Sequence, residues 1–278
     1  MVQSADVFDT WFSSALWPFA VLGWPASAKA SAGKPKKTSD FERFYPTDVL
    51  STARDIINLW VARMVYSGAA LTKKLPFKNV IIHATVITKE GQRMSKSLGT
   101  GIDPLELVEK YGADATRFGL AWQISETQDM RFGEDDILAG KKFCNKIWNA
   151  SRFVLLQIGN PKFQIPNIKS QTLADKKILL GLKKLQKDVG KFIEKYEFGK
   201  ALHRLYDFFW HQYADIYIET AKNQLADKKL KIQTQNVLLY VHLNLLKLLH
   251  PFLPFITEEI WSVFNKKNLL LIEDWPTG

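Results

Sequence analysis

The amino-acid sequence predicts an α/β domain over residues 1–138 followed by an all-α domain over residues 139–278. Three observations lead to this fold class. A run of β-branched apolar residues at 79–87 is typical of a parallel strand that is buried on both faces. Apolar residues recur every three or four positions through most of the second half, as they do in amphipathic helices. The excess of positive charge lies in that second half alone.

Local patterns define the elements of the α/β domain in order. Residues 53–70 carry apolar side chains at helical spacing and precede the predicted strand at 79–87. After the strand, Asp103 has the character of an N-cap and Pro104 that of a first helical residue. A further helix is expected to begin near residues 112–114. Helices on both sides of a buried strand indicate an α/β domain.

The all-α domain is predicted to be an antiparallel bundle. Helical spacing extends over 202–217 and 237–249, and the second helix is expected to stop at Pro251 because proline cannot continue a helix. Residues 159–172, with their glycine and prolines, are expected to form a loop, as are the small and basic residues 26–39. The residues expected in the core of the first helix are Leu202, Leu205, Phe208, Phe209, Tyr213, Ile216 and Tyr217.

The composition excludes several classes of protein. Hydrophobic residues make up 46% of the chain and charged residues 24%, as in globular domains. Neither a membrane span nor a signal peptide is evident, so a cytoplasmic protein is expected. Cys144 is the only cysteine and the five histidines are scattered. We therefore expect no intrachain disulfide, no cysteine-based zinc site and no metal held by the protein.

The net charge of +10 is unevenly distributed. Residues 1–138 contain 16 basic and 16 acidic residues, whereas residues 139–278 contain 22 basic and 12 acidic residues. A basic helical domain beside a neutral one favours a polyanionic partner such as a nucleic acid. A lysine-rich solvated surface is an equally good interpretation of the charge by itself.

Residues 89–101 form the motif that carries chemistry. They follow the predicted strand and precede the helix capped by Asp103, and they contain three cations and several small hydroxyl side chains. Ligands of open α/β sheets bind at the carboxyl ends of strands. Cations in a loop at such an end can neutralise the charge that builds up when pyrophosphate leaves a triphosphate. The segment lacks the glycine and lysine spacing of a Walker loop.

Residues 93–97, Arg-Met-Ser-Lys-Ser, resemble the KMSKS signature of class I aminoacyl-tRNA synthetases. These enzymes join an amino acid to ATP and then transfer the acyl group to tRNA. The resemblance implies that Lys96 stabilises the departing pyrophosphate and that Arg93 assists it. It also implies that Ser95 and Ser97 belong to the same catalytic loop, with ATP bound as its magnesium complex.

Further blocks are similar to the valyl members of this family. They imply the C-terminal half of a class I Rossmann-like catalytic domain, followed by a helical anticodon-binding domain, with valine and tRNA(Val) as partners. An isoleucyl or leucyl enzyme of the same layout is an alternative, as is a tRNA-binding module without catalysis. The blocks are residues 9–19, 22–25, 44–50, 55–64, 112–118, 145–153 and 250–261.

The resemblance also implies a binding site for ATP and the adenylate. Asp55 matches a carboxylate that contacts the ribose, although a helix N-cap is the alternative. His83 matches a position beside the nucleotide, and a structural histidine is equally plausible. Val86 and Ile87 are candidates for contact with adenine, and Met94 belongs to the signature itself.

Two further sets of residues are candidates for binding, one for valine and one for tRNA. Trp11 and Trp60 are expected to form the wall of a valine pocket, where a rigid ring excludes larger side chains, and ordinary core tryptophans are the alternative. Lys146, Trp148, Asn149 and Arg152 are expected to contact tRNA from one helix. Trp148 and Arg152 share a face at a spacing of four residues. The alternative places Trp148 in the core.

Two signatures of the class I enzymes are absent from the sequence. It contains neither HxGH nor GxGxxG. The resemblance therefore implies a fragment that lacks the HIGH half of the nucleotide fold and the editing domain. We expect that the isolated chain does not form valyl-adenylate at a useful rate. We also expect an exposed sheet edge, which the N-terminal half of the same enzyme would cover as a partner.

Overall fold

A computed structural model describes residues 5–24, 40–94, 99–124, 129–159, 168, 170–265 and 267–277. Contacts divide the chain into two compact units, Met1–Thr85 and Val86–Gly278. The predicted domain boundary between residues 138 and 139 falls inside the helix Glu134–Ile158 and stays a prediction. The predicted loop at 26–39 lies outside the described residues, as does most of the loop at 159–172.

The first unit contains a βαβ arrangement. Strands β1 and β2 are parallel, with Thr47 opposite Phe77 and Thr52 opposite Ile82. The helical stretch predicted at 53–70 forms the crossover, but its first part is 3-10 and π-helical rather than α-helical. The elements are α1 Thr10–Val21, α2 Asp40–Phe44, β1 Thr47–Thr52, a 3-10 turn Arg54–Ile56, a π-helical segment Ile57–Val61, α3 Ala62–Thr72 and β2 Phe77–Ile82.

The single buried strand predicted at 79–87 is corrected in two respects. It is two strands, because β2 ends at Ile82 and β3 spans Thr85–Ile87. The predicted parallel pairing is confirmed, whereas the predicted burial is wrong, since Val80 and Ile82 are 39% and 50% exposed. In the described part of the chain β2 pairs with β1 alone, so the other edge of β2 has no partner strand there.

A proline inside α1 determines how Trp60 is held. Pro18 lies within the helix and has no N–H, so it cannot donate to the carbonyl of Ser14 four residues earlier. The indole Nε1 of Trp60 donates to that carbonyl oxygen instead, at 3.2 Å. The tryptophan side chain therefore completes the hydrogen bonding of α1 and is fixed in orientation by it.

The second unit is mainly helical. Helix α4 begins as predicted, because the Asp103 carboxylate accepts from the backbone N–H of Leu105 and Pro104 is the first helical residue. Among the described helices, none combines the length and apolarity that crossing a membrane requires. The elements are β3 Thr85–Ile87, α4 Pro104–Tyr111, α5 Ala113–Trp122, β4 Asp129–Arg131, α6 Glu134–Ile158, α7 Leu173–Glu194, α8 Phe198–Asp207, a π-helical segment Phe208–Tyr217, α9 Ile218–Ala226, α10 Lys231–Leu249, α11 Pro254–Phe264 and a 3-10 turn Leu270–Ile272.

The helices of the second unit enclose one large hydrophobic core. The helical runs predicted at 202–217 and 237–249 are confirmed, and α10 ends at Leu249, before Pro251. One residue of the predicted core is wrong, because Ile216 is 58% exposed. The π-helical segment has a wider turn than an α-helix, and this turn aligns residues four apart, Phe209, Tyr213 and Tyr217, toward the core.

A buried chain of hydrogen bonds crosses this core. The Tyr213 hydroxyl lies 3.3 Å from Nδ1 of His242, and Nε2 of His242 lies 2.9 Å from the Ser151 hydroxyl. The Ser151 hydroxyl in turn donates to the Ile147 carbonyl at 2.7 Å. Each group is satisfied if Tyr213 donates to His242 and neutral His242 donates to Ser151. Burial lowers the pKa of His242 from 6.5 to about 3.

A double-mutant cycle tests the contact between Trp60 and α1. Trp60→Phe removes the donor to the Ser14 carbonyl, whereas Pro18→Ala supplies a backbone N–H to the same carbonyl. We expect Trp60→Phe to cost about 1 kcal/mol more in the wild-type background than in the Pro18→Ala background. Urea unfolding of the four proteins measures this difference. An equal cost in both backgrounds would show that the hydrogen bond contributes nothing.

The neutral state of His242 predicts how stability depends on pH. The unfolded chain takes up a proton near pH 6.5 that the folded chain takes up only near pH 3, so stability falls as pH falls through this window. The expected contribution is about 1.4 kcal/mol per pH unit. Denaturant unfolding between about pH 6 and pH 4 should show this slope, and His242→Gln should reduce it. Identical slopes in the two proteins would contradict the assignment.

Candidate functional site

The carboxyl edge of the parallel strand pair brings two predicted residues together. Asp55 lies three residues beyond β1, and His83 directly follows β2. The backbone N–H of His83 donates to the Thr52 carbonyl at 3.0 Å, which keeps the two strand ends side by side. Both side chains are exposed. This edge is where ligands of open α/β sheets bind, so the arrangement suits a polar ligand.

The two predicted pocket tryptophans lie on packed elements of the same unit. Helix α1, which carries Trp11, packs against the π-helical segment that carries Trp60. Both side chains are half-buried, so neither is an ordinary core residue. The Ser14 carbonyl fixes the Trp60 indole, and an ion pair of 3.6 Å between Arg63 of α3 and Asp9 joins α3 to the residue that precedes α1. Their pocket role stays a prediction.

The base of the predicted catalytic loop is a tight hairpin. The backbone N–H of Thr88 donates to the Gln92 carbonyl at 2.8 Å, and Ile87 bridges Arg93 in antiparallel fashion. Gly91 has a φ of +88°, a conformation that side chains disfavour, so a glycine is required at this turn. Arg93 lies at the end of this hairpin, and its side chain is exposed.

Contacts with β4 and with the start of α6 hold this hairpin. The Arg131 guanidinium donates to the Lys89 carbonyl at 3.4 Å, and the Lys89 ammonium lies 3.1 Å from the Asp135 carboxylate. The stem of Lys89 crosses Gly133, where an added Cβ would lie 2.8 Å from Lys89 Cε. The ion pair itself is highly exposed and contributes little stability. The guanidinium contact with the Lys89 backbone is therefore the more important of these contacts for the position of the hairpin.

A second group of contacts holds the far side of the loop. Lys110, at the end of α4, donates to the Glu134 carboxylate at 2.7 Å, and the Tyr111 hydroxyl also donates to it. The hydrogen bond from Lys110 holds the pKa of Glu134 below its usual range. The start of α6 thus contacts the chain both before and after the loop. A cavity of about 350 Å³ adjoins it, lined by Thr88, Lys89, Glu90, Ile102, Phe132, Gly133 and Glu134.

The remaining predicted residues of the loop divide into two groups. Val86 and Met94 pack on a small cluster with Leu107 and Ile137, so their side chains support the loop from inside. The Ile87 carbonyl accepts from the backbone N–H of Phe132 at 2.9 Å and is occupied by this contact. The side chains that would carry the chemistry, Ser95, Lys96 and Ser97, lie outside the described residues.

Helix α6 presents part of the predicted RNA face to solvent. Trp148 is 42% exposed, which argues against the alternative that it belongs to the core, and Asn149 and Arg152 are exposed beside it. Lys146 lies two residues before Trp148, so these two side chains point to different sides of the helix. The Lys146 ammonium lies 2.6 Å from the Asp215 carboxylate. Contact of the four residues with RNA stays a prediction.

Sequence reasoning missed the residues that support the loop. Arg131, Glu134 and Asp135 are thirty or more residues beyond it and belong to no motif. One signal was available, since the acidic run that begins at Glu134 marks the start of a helix. The residues near this helix start do not indicate that it packs on the loop.

Both parts of the chain match known protein families. Residues 1–133 match the family described as tRNA synthetases class I (I, L, M and V). Residues 175–278 match the anticodon-binding domain of tRNA ligase. These two matches agree with the predicted order of a class I catalytic part and an anticodon-binding domain.

Curated relatives include many valine–tRNA ligases. That of Clostridium tetani is 47% identical over 280 residues, and that of Pseudothermotoga lettingae is 48% identical over 275 residues. Each alignment covers 99% of this chain but only 31% or 30% of the relative. The chain therefore spans about a third of the length of the curated relatives it matches.

Solved structures agree with the fold. A LeuRS of Agrobacterium radiobacter K84, in a ternary complex with tRNA and LeuAMS, superposes with a TM-score of 0.81 at 21% identity, covering 99% of this chain and 33% of that one. The methionyl-tRNA synthetase of Mycobacterium tuberculosis bound by methionyl-adenylate gives 0.64 at 22% identity, covering 84% and 47%. These likenesses confirm the fold class, and the curated relatives favour the valyl alternative over the isoleucyl and leucyl ones. Residues 1–133 are thus similar to the class I tRNA synthetases of the isoleucine, leucine, methionine and valine group, and the chain aligns along its length with about a third of each valine–tRNA ligase.

Proposed function

We propose that this chain is the part of a valine–tRNA ligase that stabilises the pyrophosphate leaving group of ATP and binds the anticodon region of tRNA. The longer protein would join valine to ATP as valyl-adenylate and then transfer the valyl group to tRNA(Val). The observation that carries the proposal is the identity of 46–48% along 99% of the chain, across both family matches. A cytoplasmic location follows as a further proposal.

In the proposed reaction the valine carboxylate attacks the α-phosphate of magnesium-bound ATP. The bond from that phosphorus to the bridging oxygen breaks, and pyrophosphate leaves with the negative charge. Lys96 stabilises this charge and Arg93 assists, while Ser95 and Ser97 offer hydroxyl groups to the phosphates. The hairpin held by Arg131 supports this assignment, because electrostatic stabilisation requires a loop with a fixed base.

The first unit contains the proposed ribose and valine contacts. Asp55 is proposed to accept hydrogen bonds from the ribose hydroxyls and His83 to lie beside the nucleotide, since both follow adjacent parallel strands. Trp60 and Trp11 are proposed to form the valine pocket. The hydrogen bond from Trp60 to Ser14 supports a rigid wall, which a pocket for a small side chain requires.

Adenine contact and strand pairing complete the proposal for the catalytic part. Val86 and Ile87 are proposed to contact adenine and Met94 to support the ATP loop. The side chains of Val86 and Met94 pack inward and the Ile87 carbonyl is occupied by Phe132, so the Ile87 side chain and the remaining backbone groups are the proposed adenine contacts. The exposed apolar side chains of Val80 and Ile82 support completion of the sheet by another segment of the longer protein.

The exposed face of α6 is the proposed RNA contact. Trp148 offers an aromatic surface on which a base can stack, and Arg152 and Asn149 offer donors for phosphates or bases. Lys146 is engaged with Asp215 and lies over the Trp210 ring at 5.2 Å. Its proposed contribution to RNA binding therefore requires that it leave this carboxylate.

ATP–pyrophosphate exchange tests the proposed reaction. We expect no exchange above background from the isolated chain with valine. A chimera in which this chain replaces the matching region of the Clostridium tetani enzyme should exchange with valine. Lys96→Ala in the chimera should lower the rate by about 10²–10³-fold, because one charge-stabilising group is lost. The exposed Lys229→Ala is the matched control and should leave the rate unchanged.

Three results would overturn parts of this proposal. Strong exchange by the isolated chain would remove the need for a complementing segment. Full activity of the Lys96→Ala chimera would remove the catalytic assignment of the loop. Exchange supported by leucine or isoleucine, and not by valine, would overturn the substrate.

A further inference from the structure

Helix α7 carries a face of lysines that the proposed reaction does not use. All six of these side chains are exposed, and they occupy a stretch of about 22 Å along the helix axis. In the part of the chain that the structure describes, none of them lies within salt-bridge distance of a carboxylate. This surface is here called the lysine face, and its residues are Lys176, Lys177, Lys183, Lys184, Lys187 and Lys191.

Four lysines on neighbouring helices of the bundle are paired with carboxylates. Lys146 lies 2.6 Å from a carboxylate, and Lys247 lies 3.0 Å from one. Lys200 and Lys222 pair with glutamates one turn earlier in the chain, at 3.1 and 2.7 Å. The absence of ion pairs on the lysine face is thus not a general property of lysines in this unit.

The two aspartates of α7 that could neutralise the face are already engaged. Asp175 is fully buried and accepts from the Tyr217 hydroxyl at 2.8 Å and from the start of its own helix. Asp188 lies 3.5 Å from the Arg204 guanidinium. Glu194 is the last residue of the helix and lies beyond the lysine face. Asp175 therefore points into the core and Asp188 toward α8, whereas the six lysines point to solvent.

This arrangement lowers the stability of the free protein. Lys183 and Lys187, like Lys187 and Lys191, are four residues apart, and Lys184 and Lys187 are three apart. Like charges at these spacings repel one another across a helix surface. No ion pair with a carboxylate among the described residues offsets the repulsion, so an external polyanion would relieve it.

The buried side of α7 determines which polyanion fits. Ile178, Leu182, Leu185 and Val189 are buried in the core of the bundle. A basic helix that lies on a membrane must insert its apolar face among the lipids, and here that face is not available. A nucleic-acid backbone needs only the charged side, so it fits the helix better than an anionic lipid surface.

We propose that the lysine face binds the sugar-phosphate backbone of tRNA through charge alone, as a second contact beyond α6. This inference rests on the proposed function for the identity of the RNA. The face supplies affinity without reading sequence, because lysine contacts to phosphates carry no base information. It accounts for a substantial part of the basic excess of the second half of the chain.

The salt dependence of tRNA binding tests the inference in the full chain. Lys183→Gln combined with Lys184→Gln and Lys187→Gln removes three charges from the lysine face. If each contacts a phosphate, the slope of log affinity against log salt should become shallower by about 2, and affinity at about 0.1 M salt should fall about tenfold or more. The matched control removes three exposed charges elsewhere, by Lys228→Gln, Lys229→Gln and Lys231→Gln, and should keep the wild-type slope.

A third variant separates this inference from the proposed function. Trp148→Ala should weaken tRNA binding without changing the salt slope, because it removes a stacking surface and no charge. If the lysine-face variant binds with wild-type slope while Trp148→Ala weakens binding, the inference fails and the proposed function stands. If the wild-type chain does not bind tRNA, both fail. Binding of the face to anionic phosphatidylserine vesicles in preference to tRNA, or equal losses in the two triple variants, would also overturn the inference. Circular dichroism of each variant confirms folding.

Discussion

The close crossing of α5 and α6 is the contact on which the second unit depends. A Cβ added at Gly140 would lie 2.8 Å from the Ala115 carbonyl and 2.9 Å from Phe118, and one added at Gly119 would lie 2.7 Å from the Ile137 side chain. These are distances that real side chains do not adopt, so each glycine lets the other helix approach its backbone. The crossing therefore fixes the path of α6, a helix of 25 residues.

Helix α6 connects the two candidate sites of this unit. Its first turn contacts the chain on both sides of the proposed catalytic loop, through Asp135 and Glu134. Its middle is buried in the bundle core and is tied to α10 by the hydrogen bond of Ser151 with His242. Its outer face exposes Trp148, which is a proposed RNA contact. Because one helix carries all three sets of residues, it positions both the proposed nucleotide loop and the proposed RNA face.

The sequence predicted the features that depend on local pattern. The N-cap at Asp103, the end of α10 before Pro251 and the parallel pairing of β2 all follow from residue types and spacing, and the structure agrees. Burial of residues 79–87 was predicted wrongly, because burial depends on neighbouring strands that a single segment does not reveal. Ile216 was misplaced because a π-helical turn changes the phase of the pattern.

Contacts between distant residues were not predictable in the same way. The donation from Trp60 to Ser14 joins positions 46 residues apart, and nothing near either residue indicates the other. The engagement of Lys146 by Asp215 is of the same kind. The role of Lys96 rests on resemblance to a family, since the residue lies outside the described part of the structure.

The free energy of unfolding of Gly140→Ala tests the helix crossing most directly, with Gly190→Ala as its reference. Both substitutions place alanine in a helix, which by itself favours folding by up to about 1 kcal/mol. A Cβ at Gly190 meets nothing closer than 4.0 Å, so that variant should be as stable as the wild type or more so. Gly140→Ala should lose about 1–3 kcal/mol, because the new methyl group overlaps α5. Equal stability of the two variants would contradict the claim that this crossing determines the position of α6.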